Sequence, residues 1–170
     1  MTDYLIGLGH RDIGFVTGHP EHGAAPRRLE GYRQALKARG LPYREALVAP
    51  GDFTFASGYA AAERLLGGET RPTAIFASND DMAIGVLAAA QARGLKVPDQ
   101  LSVAGFDDTP TAAMVWPRLT TVRQPIAEMA KAATEMLIAG AAKAPRAEPP
   151  VQQPWHCELI IRASTAVCKR

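Results

Sequence analysis

Thr73-Ala74-Ile75-Phe76-Ala77-Ser78-Asn79-Asp80-Asp81-Met82-Ala83-Ile84-Gly85 is the stretch that decides the fold. Its first half is an apolar run with no alternation, and it breaks off at Ser78-Asn79-Asp80. A short run without a polar face reads as a strand covered on both sides, the form strands take in a parallel sheet flanked by helices. Ser78 or Asn79 can accept from the free N–H groups of a following helix, and Asp80 and Asp81 favour the positive end of its dipole. That helix runs to Arg93 and stops at Gly94, with Pro98 beyond. Glycine enters the left-handed conformation of a helix end without a Cβ penalty.

The same pattern recurs on both sides. Residues 13–17 lead to Gly18-His19-Pro20, and a helical segment from about 27 to 39 stops at Gly40. Residues 45–49 lead to Pro50-Gly51-Asp52, and a segment from about 55 to 66 stops at Gly67-Gly68. Residues 101–106 lead to Asp107-Asp108. Alternating strands and helices predict an α/β fold: a parallel sheet with helices on both faces and right-handed crossovers. Such sheets bind ligands at the carboxyl ends of their strands. Here those ends carry Gly18-His19, Gly51-Asp52-Phe53, Ser78-Asn79-Asp80 and Asp107-Asp108. The last fifty residues differ. Residues 119–122 read as extended, and Pro125 can open a helix reaching about residue 139. That helix places Ile126, Met129, Ala130, Ala133, Met136 and Leu137 on one face. The proline-rich stretch 141–154 reads as a loop or edge, and 158–162 as a last strand.

Composition narrows the function classes. The chain has 170 residues, 47% hydrophobic and 21% charged, which suits one globular domain or slightly more. A net charge of +2 without blocks of like charge points to no nucleic-acid surface. Cys157 and Cys168 make no disulfide framework, and the opening residues have no secretory pattern. No apolar stretch reaches membrane-spanning length. The expectation is a cytoplasmic protein with no membrane contact.

Several candidate chemistries fail on spacing. Gly7-Leu8-Gly9 lacks the third glycine of a dinucleotide fingerprint, because position 12 is aspartate, and no phosphate-binding loop occurs. No cofactor is expected. His19 and His22 suit a surface turn, and His156-Cys157 has no second pair, so no metal is expected and Cys157 is read as a core residue. Asp80-Asp81 and Asp107-Asp108 could be acid–base carboxylates, but no nucleophile motif accompanies them. Hydrogen bonding to a ligand is the preferred reading, and no residue is assigned as catalytic. Arg28 opens a helix just after a strand-end loop, and Phe53 lies in another such loop, so both are candidates for ligand contact. Residues 82–92 are apolar almost all round, which implies burial on more than one side. The sheet takes one side and leaves the other for a partner subunit.

An ordered set of motifs then carries a resemblance. Leu5-Ile6-Gly7-Leu8-Gly9-His10-Arg11, Arg28-Leu29-Glu30-Gly31-Tyr32, Ser78 to Gly85, Val103-Ala104-Gly105-Phe106-Asp107-Asp108, Leu119-Thr120-Thr121-Val122-Arg123-Gln124-Pro125 and Leu159-Ile160-Ile161-Arg162-Ala163-Ser164-Thr165 together resemble the LacI/GalR transcription regulators. The likeness runs from about residue 4 to 165. It implies a type I periplasmic-binding-protein-like fold with two lobes joined by three chain crossings. Residues 1–12 would end the N-terminal lobe and form the first crossing. Residues 13–118 would form the C-terminal effector-binding lobe. Residues 119–170 would supply the return crossing and a helix and strand of the other lobe. The resemblance implies that Arg28, Phe53, Asn79, Asp107 and Gln124 face a small effector, a carbohydrate or related metabolite. It implies a homodimer surface at Ile84, Leu87, Met114 and Val115. A helix-turn-helix precedes this region in the family and has no counterpart in these residues, so DNA binding is implied for the family only and the chain reads as a truncated module. The reading is therefore a binding module and not an enzyme. A stand-alone solute-binding protein, or a small α/β enzyme using Asp107, are the alternatives.

Overall fold

A computed structural model describes residues 1–141 and 155–169. Strands β1 (Ile13–Val16), β2 (Val48–Ala49), β3 (Ala74–Ala77) and β4 (Ser102–Ala104) form a parallel sheet in the order β2-β1-β3-β4. Helices α1 (Thr2–Gly7) and α2 (Ala24–Ala38) cover one face. Helices α3 (Phe55–Gly67) and α4 (Asp80–Ala92) cover the other. The unbroken apolar runs explain this double cover, because side chains alternate along a strand. Ile13 and Phe15 point into the cluster with Leu5, Tyr32 and Leu36, whereas Val16 joins Leu65, Met82 and Val86. Phe15 stacks on Tyr32 with ring centroids 4.9 Å apart, and the Tyr32 hydroxyl donates to the Ile13 carbonyl at 2.8 Å. Each large side chain buried in this way contributes about 1.5–3 kcal/mol.

The predicted α/β sheet and the helix stops are present, with Gly40 and Gly94 both at positive φ. Some elements differ from expectation. Only Val48 and Ala49 pair with β1, because Glu45–Leu47 forms a 3-10 turn that tucks Leu47 under the edge strand. The helices α1 and α5 (Pro110–Met114) were not foreseen, since so few residues show no helical period. The second side of α4 is covered by α3 of the same chain, not left for a partner subunit. Glycines make that approach close. A Cβ on Gly58 would lie 2.2 Å from the Met82 carbonyl oxygen, and one on Gly85 2.2 Å from that of Phe55.

Strands β5 (Thr121–Arg123) and β6 (Glu158–Ile160) pair antiparallel. The backbone leading into β5 is bonded to the end of β4: Gly105 N–H donates to Thr120 O at 2.9 Å and Asp107 N–H to Val122 O at 2.8 Å. Ser164 closes the same seam, its hydroxyl donating to Val103 O at 2.6 Å and accepting from Thr120 N at 2.8 Å. Asp108 pins both outgoing segments, accepting from Arg162 at 2.5 Å and from Arg123 Nε at 2.7 Å. Burial pushes the Asp108 carboxyl up, but the hydrogen bonds from Arg162 and Arg123 outweigh it and hold it below its ordinary value. Helix α6 (Ile126–Ala141) leaves this seam with Ile126, Met136, Leu137 and Ile138 exposed. Of the stretch 141–154, read from sequence as a loop or edge, residue 141 ends this helix and residues 142–154 lie outside the described residues.

Two outcomes are expected in urea denaturation of the chain. Gly85→Ala would gain about 0.5–1 kcal/mol on an open helix, but here it destabilises by about 1–3 kcal/mol, because a backbone carbonyl occupies the added volume. Asp108→Asn destabilises by about 1–2 kcal/mol at neutral pH. A carboxylate held low stabilises above its unfolded pKa, and that stability is lost as pH falls through the depressed value. The gap between wild type and variant therefore narrows on acidification; a gap independent of pH contradicts the assignment.

Candidate functional site

The carboxyl ends of the strands meet at one edge of the sheet, and four loops deliver polar groups there. After β1, Gly18 lies against the Phe53 ring so closely that a Cβ would sit 2.0 Å from Cζ. After β2, Phe53 holds a left-handed backbone, φ 71°, which turns its ring back towards β1. Thr54 then caps α3, accepting from Ser57 N at 3.2 Å. After β3, Asn79 caps α4, its Oδ1 accepting from Met82 N at 3.0 Å. Its Nδ2 donates to the Phe53 carbonyl at 2.9 Å, which fixes the loop after β2. After β4, Asp107 and Asp108 both have positive φ, 116° and 54°.

Arg28 reaches this edge from the second turn of α2. One Nη donates to the Ser78 carbonyl, and the other lies 3.3 Å from Asp107 Oδ1. Its guanidinium sits 4.0 Å from the centroid of Phe106 and 5.9 Å from that of Phe53. Gln124, just past β5, donates through Nε2 to the same Asp107 oxygen at 2.7 Å. Burial pushes the Asp107 carboxyl above its ordinary range; Arg28 opposes the shift and Asp80 adds to it. Burial likewise lowers Arg28, against the pull of Asp107. The side chains remain within reach of solvent, at 15% for Arg28 and 32% for Asp107, so a ligand can touch both.

Arg28, Phe53, Asn79, Asp107 and Gln124 are thus brought together, linked through direct contacts. Their free valences differ. Asp107 Oδ2 has no hydrogen bond among the described residues. Asn79 spends its carbonyl and one amide hydrogen on the protein, so it offers one N–H at most. Sequence reasoning missed Phe106, whose ring supports Arg28; its place one residue before Asp107 was the available signal. His22, read as a turn residue, packs edge-on to Phe53 with centroids 5.4 Å apart.

The neighbouring acidic residues are structural. Asp80 is fully buried; its oxygens accept from Thr121 Oγ1 at 2.5 Å, Thr109 N at 2.7 Å and Thr109 Oγ1 at 3.2 Å. Burial raises its pKa in spite of these donors. Its bonds tie the loop after β4 to β5, a task that leaves no oxygen for acid–base work. Cys157, expected in the core, is exposed instead, one residue before β6. No group of three or more potential metal-ligating side chains occurs among the described residues. Nor is any described helix long and apolar enough to cross a membrane. Of the four residues assigned to a dimer surface, Met114 is 80% exposed, whereas Leu87 at 7% is buried in the chain's own core. Ile84 is half-buried, and Val115 packs against that core. Trp116, not singled out from sequence, is 86% exposed.

Residues 2–165 match the periplasmic binding protein-like domain family. The chain is 43% identical over 134 residues to catabolite control protein A of Priestia megaterium, covering 78% of this chain and 40% of that protein. Among solved structures, a sugar-binding transcriptional regulator of the LacI family from Escherichia coli, complexed with phosphate, superposes with a TM-score of 0.87 at 38% identity, covering 98% of this chain and 59% of that one. A LacI family regulator from Enterococcus faecium with bound ribose gives 0.83 at 28% identity, covering 99% and 61%. The chain spans about half the length, 40–47%, of the curated relatives it matches. The two solved neighbours are transcription regulators of the LacI family. The chain belongs to the periplasmic binding protein-like domain family, in the form shared by the LacI/GalR-type transcription regulators.

Proposed function

We propose that the carboxyl edge of the sheet binds a small polar effector, a carbohydrate or related metabolite, and that these residues form the effector-binding and dimerisation part of a LacI-type regulator. The observation that carries this reading is the Asp107 carboxylate, gripped on one oxygen by Arg28 and Gln124 and, among the described residues, unbonded on the other. A sugar hydroxyl both donates and accepts. It can donate to Asp107 Oδ2 while a neighbouring hydroxyl accepts from Arg28 or Gln124. The remaining Asn79 N–H adds a donor, and the Phe53 ring offers an apolar face to the carbon skeleton. The sugar-binding and ribose-bound relatives support the same chemistry for this chain.

Residues 13–118 form the C-terminal lobe in this reading, with 1–12 ending the other lobe and 119–170 returning to it. Gln124 bonds Asp107 from just beyond the β5 crossing, so a ligand that competes for Asp107 acts on the link between lobes. Such a link can pass a coupling of about 1–3 kcal/mol to a distant DNA contact. The proposed regulator works in the cytoplasm. The dimer surface centres on Met114, with Ile84 and Val115 at its margin and Trp116 added by its exposure.

Two experiments test this. In a thermal-shift screen of monosaccharides and disaccharides, at least one sugar raises Tm in a saturable manner, as a ligand of the native state must. Arg28→Ala and Asp107→Asn each weaken that effect by about tenfold or more, roughly 1.4 kcal/mol. A screen with no saturable rise, or variants that respond like wild type, overturns the reading. In analytical ultracentrifugation, Met114→Lys moves the chain from dimer towards monomer; a wild-type monomer at high concentration removes the dimer proposal.

A further inference from the structure

A second concavity lies at the opposite edge of the sheet, where the strands begin. It encloses about 560 Å³, within the range of small-molecule sites. Thr73 and Leu101, the residues just before β3 and β4, line it, so it is separated from the Arg28 cluster by the length of those strands. His10 lies at its floor, 3% exposed. Its Nδ1 is 2.9 Å from Thr73 Oγ1, and its Nε2 is 3.1 Å from both Ser102 Oγ and the Ala166 carbonyl. A carbonyl can only accept, so Nε2 carries a hydrogen; burial lowers the ring's pKa, against the pull of the Ala166 carbonyl. Both ring nitrogens are spent on the protein.

The rim has the opposite character. Arg71, Arg93 and Lys169 all line the cavity, against one carboxylate among the described lining residues, that of Asp99. Arg93 turns Nε and Nη2 to Glu63 and keeps Nη1 unbonded among the described residues. Lys169 gives one bond to Asp99 at 2.8 Å. Arg71 has no hydrogen bond or ion pair among the described residues, and it is exposed. Gln100 accepts from Lys96 N through Oε1, which leaves its amide hydrogens unspent. The wall is thus rich in unspent donors and poor in free acceptors. A ligand that complements it must bring acceptors and negative charge. Concave walls of low dielectric strengthen the field of such cations. Leu66, Leu95 and Leu101 supply apolar surface beside them.

We infer that this cavity is a second ligand site, for a small metabolite bearing a phosphate or carboxylate group on a short carbon skeleton. The carboxyl-edge site has an acceptor at its centre and suits a neutral polyol; this one has donors and suits an anion. The inference stands independently of the effector reading.

The test is a calorimetric titration of the chain with glycerol 3-phosphate, inorganic phosphate and citrate. Glycerol, and sodium chloride at matched ionic strength, are the controls. At least one of the three anions binds saturably, while glycerol and chloride do not. Binding weakens about tenfold or more in Arg71→Ala and in Lys169→Ala, and is unchanged in Arg28→Ala. Response to the two phosphates alone assigns a phosphoryl ligand, and response to citrate alone a carboxylate. The inference fails if no anion binds above the chloride control. It also fails if Arg28→Ala abolishes binding that Arg71→Ala retains, which would place the anion at the other edge.

Discussion

The in-register parallel pairing of the sheet is the constraint on which the rest depends. Val16 stands opposite both Ala49 and Ala77, so β1, β2 and β3 end together. Strands buried on both faces cannot slip by one residue without exchanging every side chain between two packed layers. Phe15 would leave Tyr32 and Leu36 for the α4 side, and Ile75 would leave Val86 for the α2 side. That penalty fixes where each strand stops, and the stops bring Gly18, Phe53, Asn79 and Asp107 to one edge although they are far apart in the chain.

Three carboxylates crowd that edge, and their partners separate their roles. Asp80 and Asp108 have donors on both oxygens and hold the β4 loop to the crossing segments. Asp107 has donors on one oxygen and offers the other. A buried carboxylate with every lone-pair direction answered is architecture; one with a vacant direction beside an arginine and two aromatic rings is suited to a ligand. The positive φ of Asp107 belongs to the same picture, since strain of this kind gathers where a side chain must be aimed.

Much of this was legible in the order of residues. Apolar runs without alternation marked the double-covered strands, and Gly40 and Gly94 marked helix ends. The strand-end polar groups mark the edge where the site lies. Other features were not legible. The short helices α1 and α5 carry too few residues for a period to show. The cover of α4 by α3 depends on Gly58 and Gly85 facing each other, a pairing between helices that no single segment reveals. Leu87 reads as available to a partner because the contacts that bury it come from other elements of the same chain, which its own segment does not reveal. The split of duties among Asp80, Asp107 and Asp108 arises from Thr109, Thr121 and Arg162, which meet them only in three dimensions.

The central claim is that one polar cluster, built from separate loops, grips the ligand as a unit. The most direct check is an NMR titration that follows the Arg28 Nε–H and the side-chain amides of Gln124 and Asn79 as a bound sugar is added. The account predicts that these signals move together and saturate at one common Kd. Signals that stay fixed while the sugar binds, with shifts confined to another face of the sheet, contradict it.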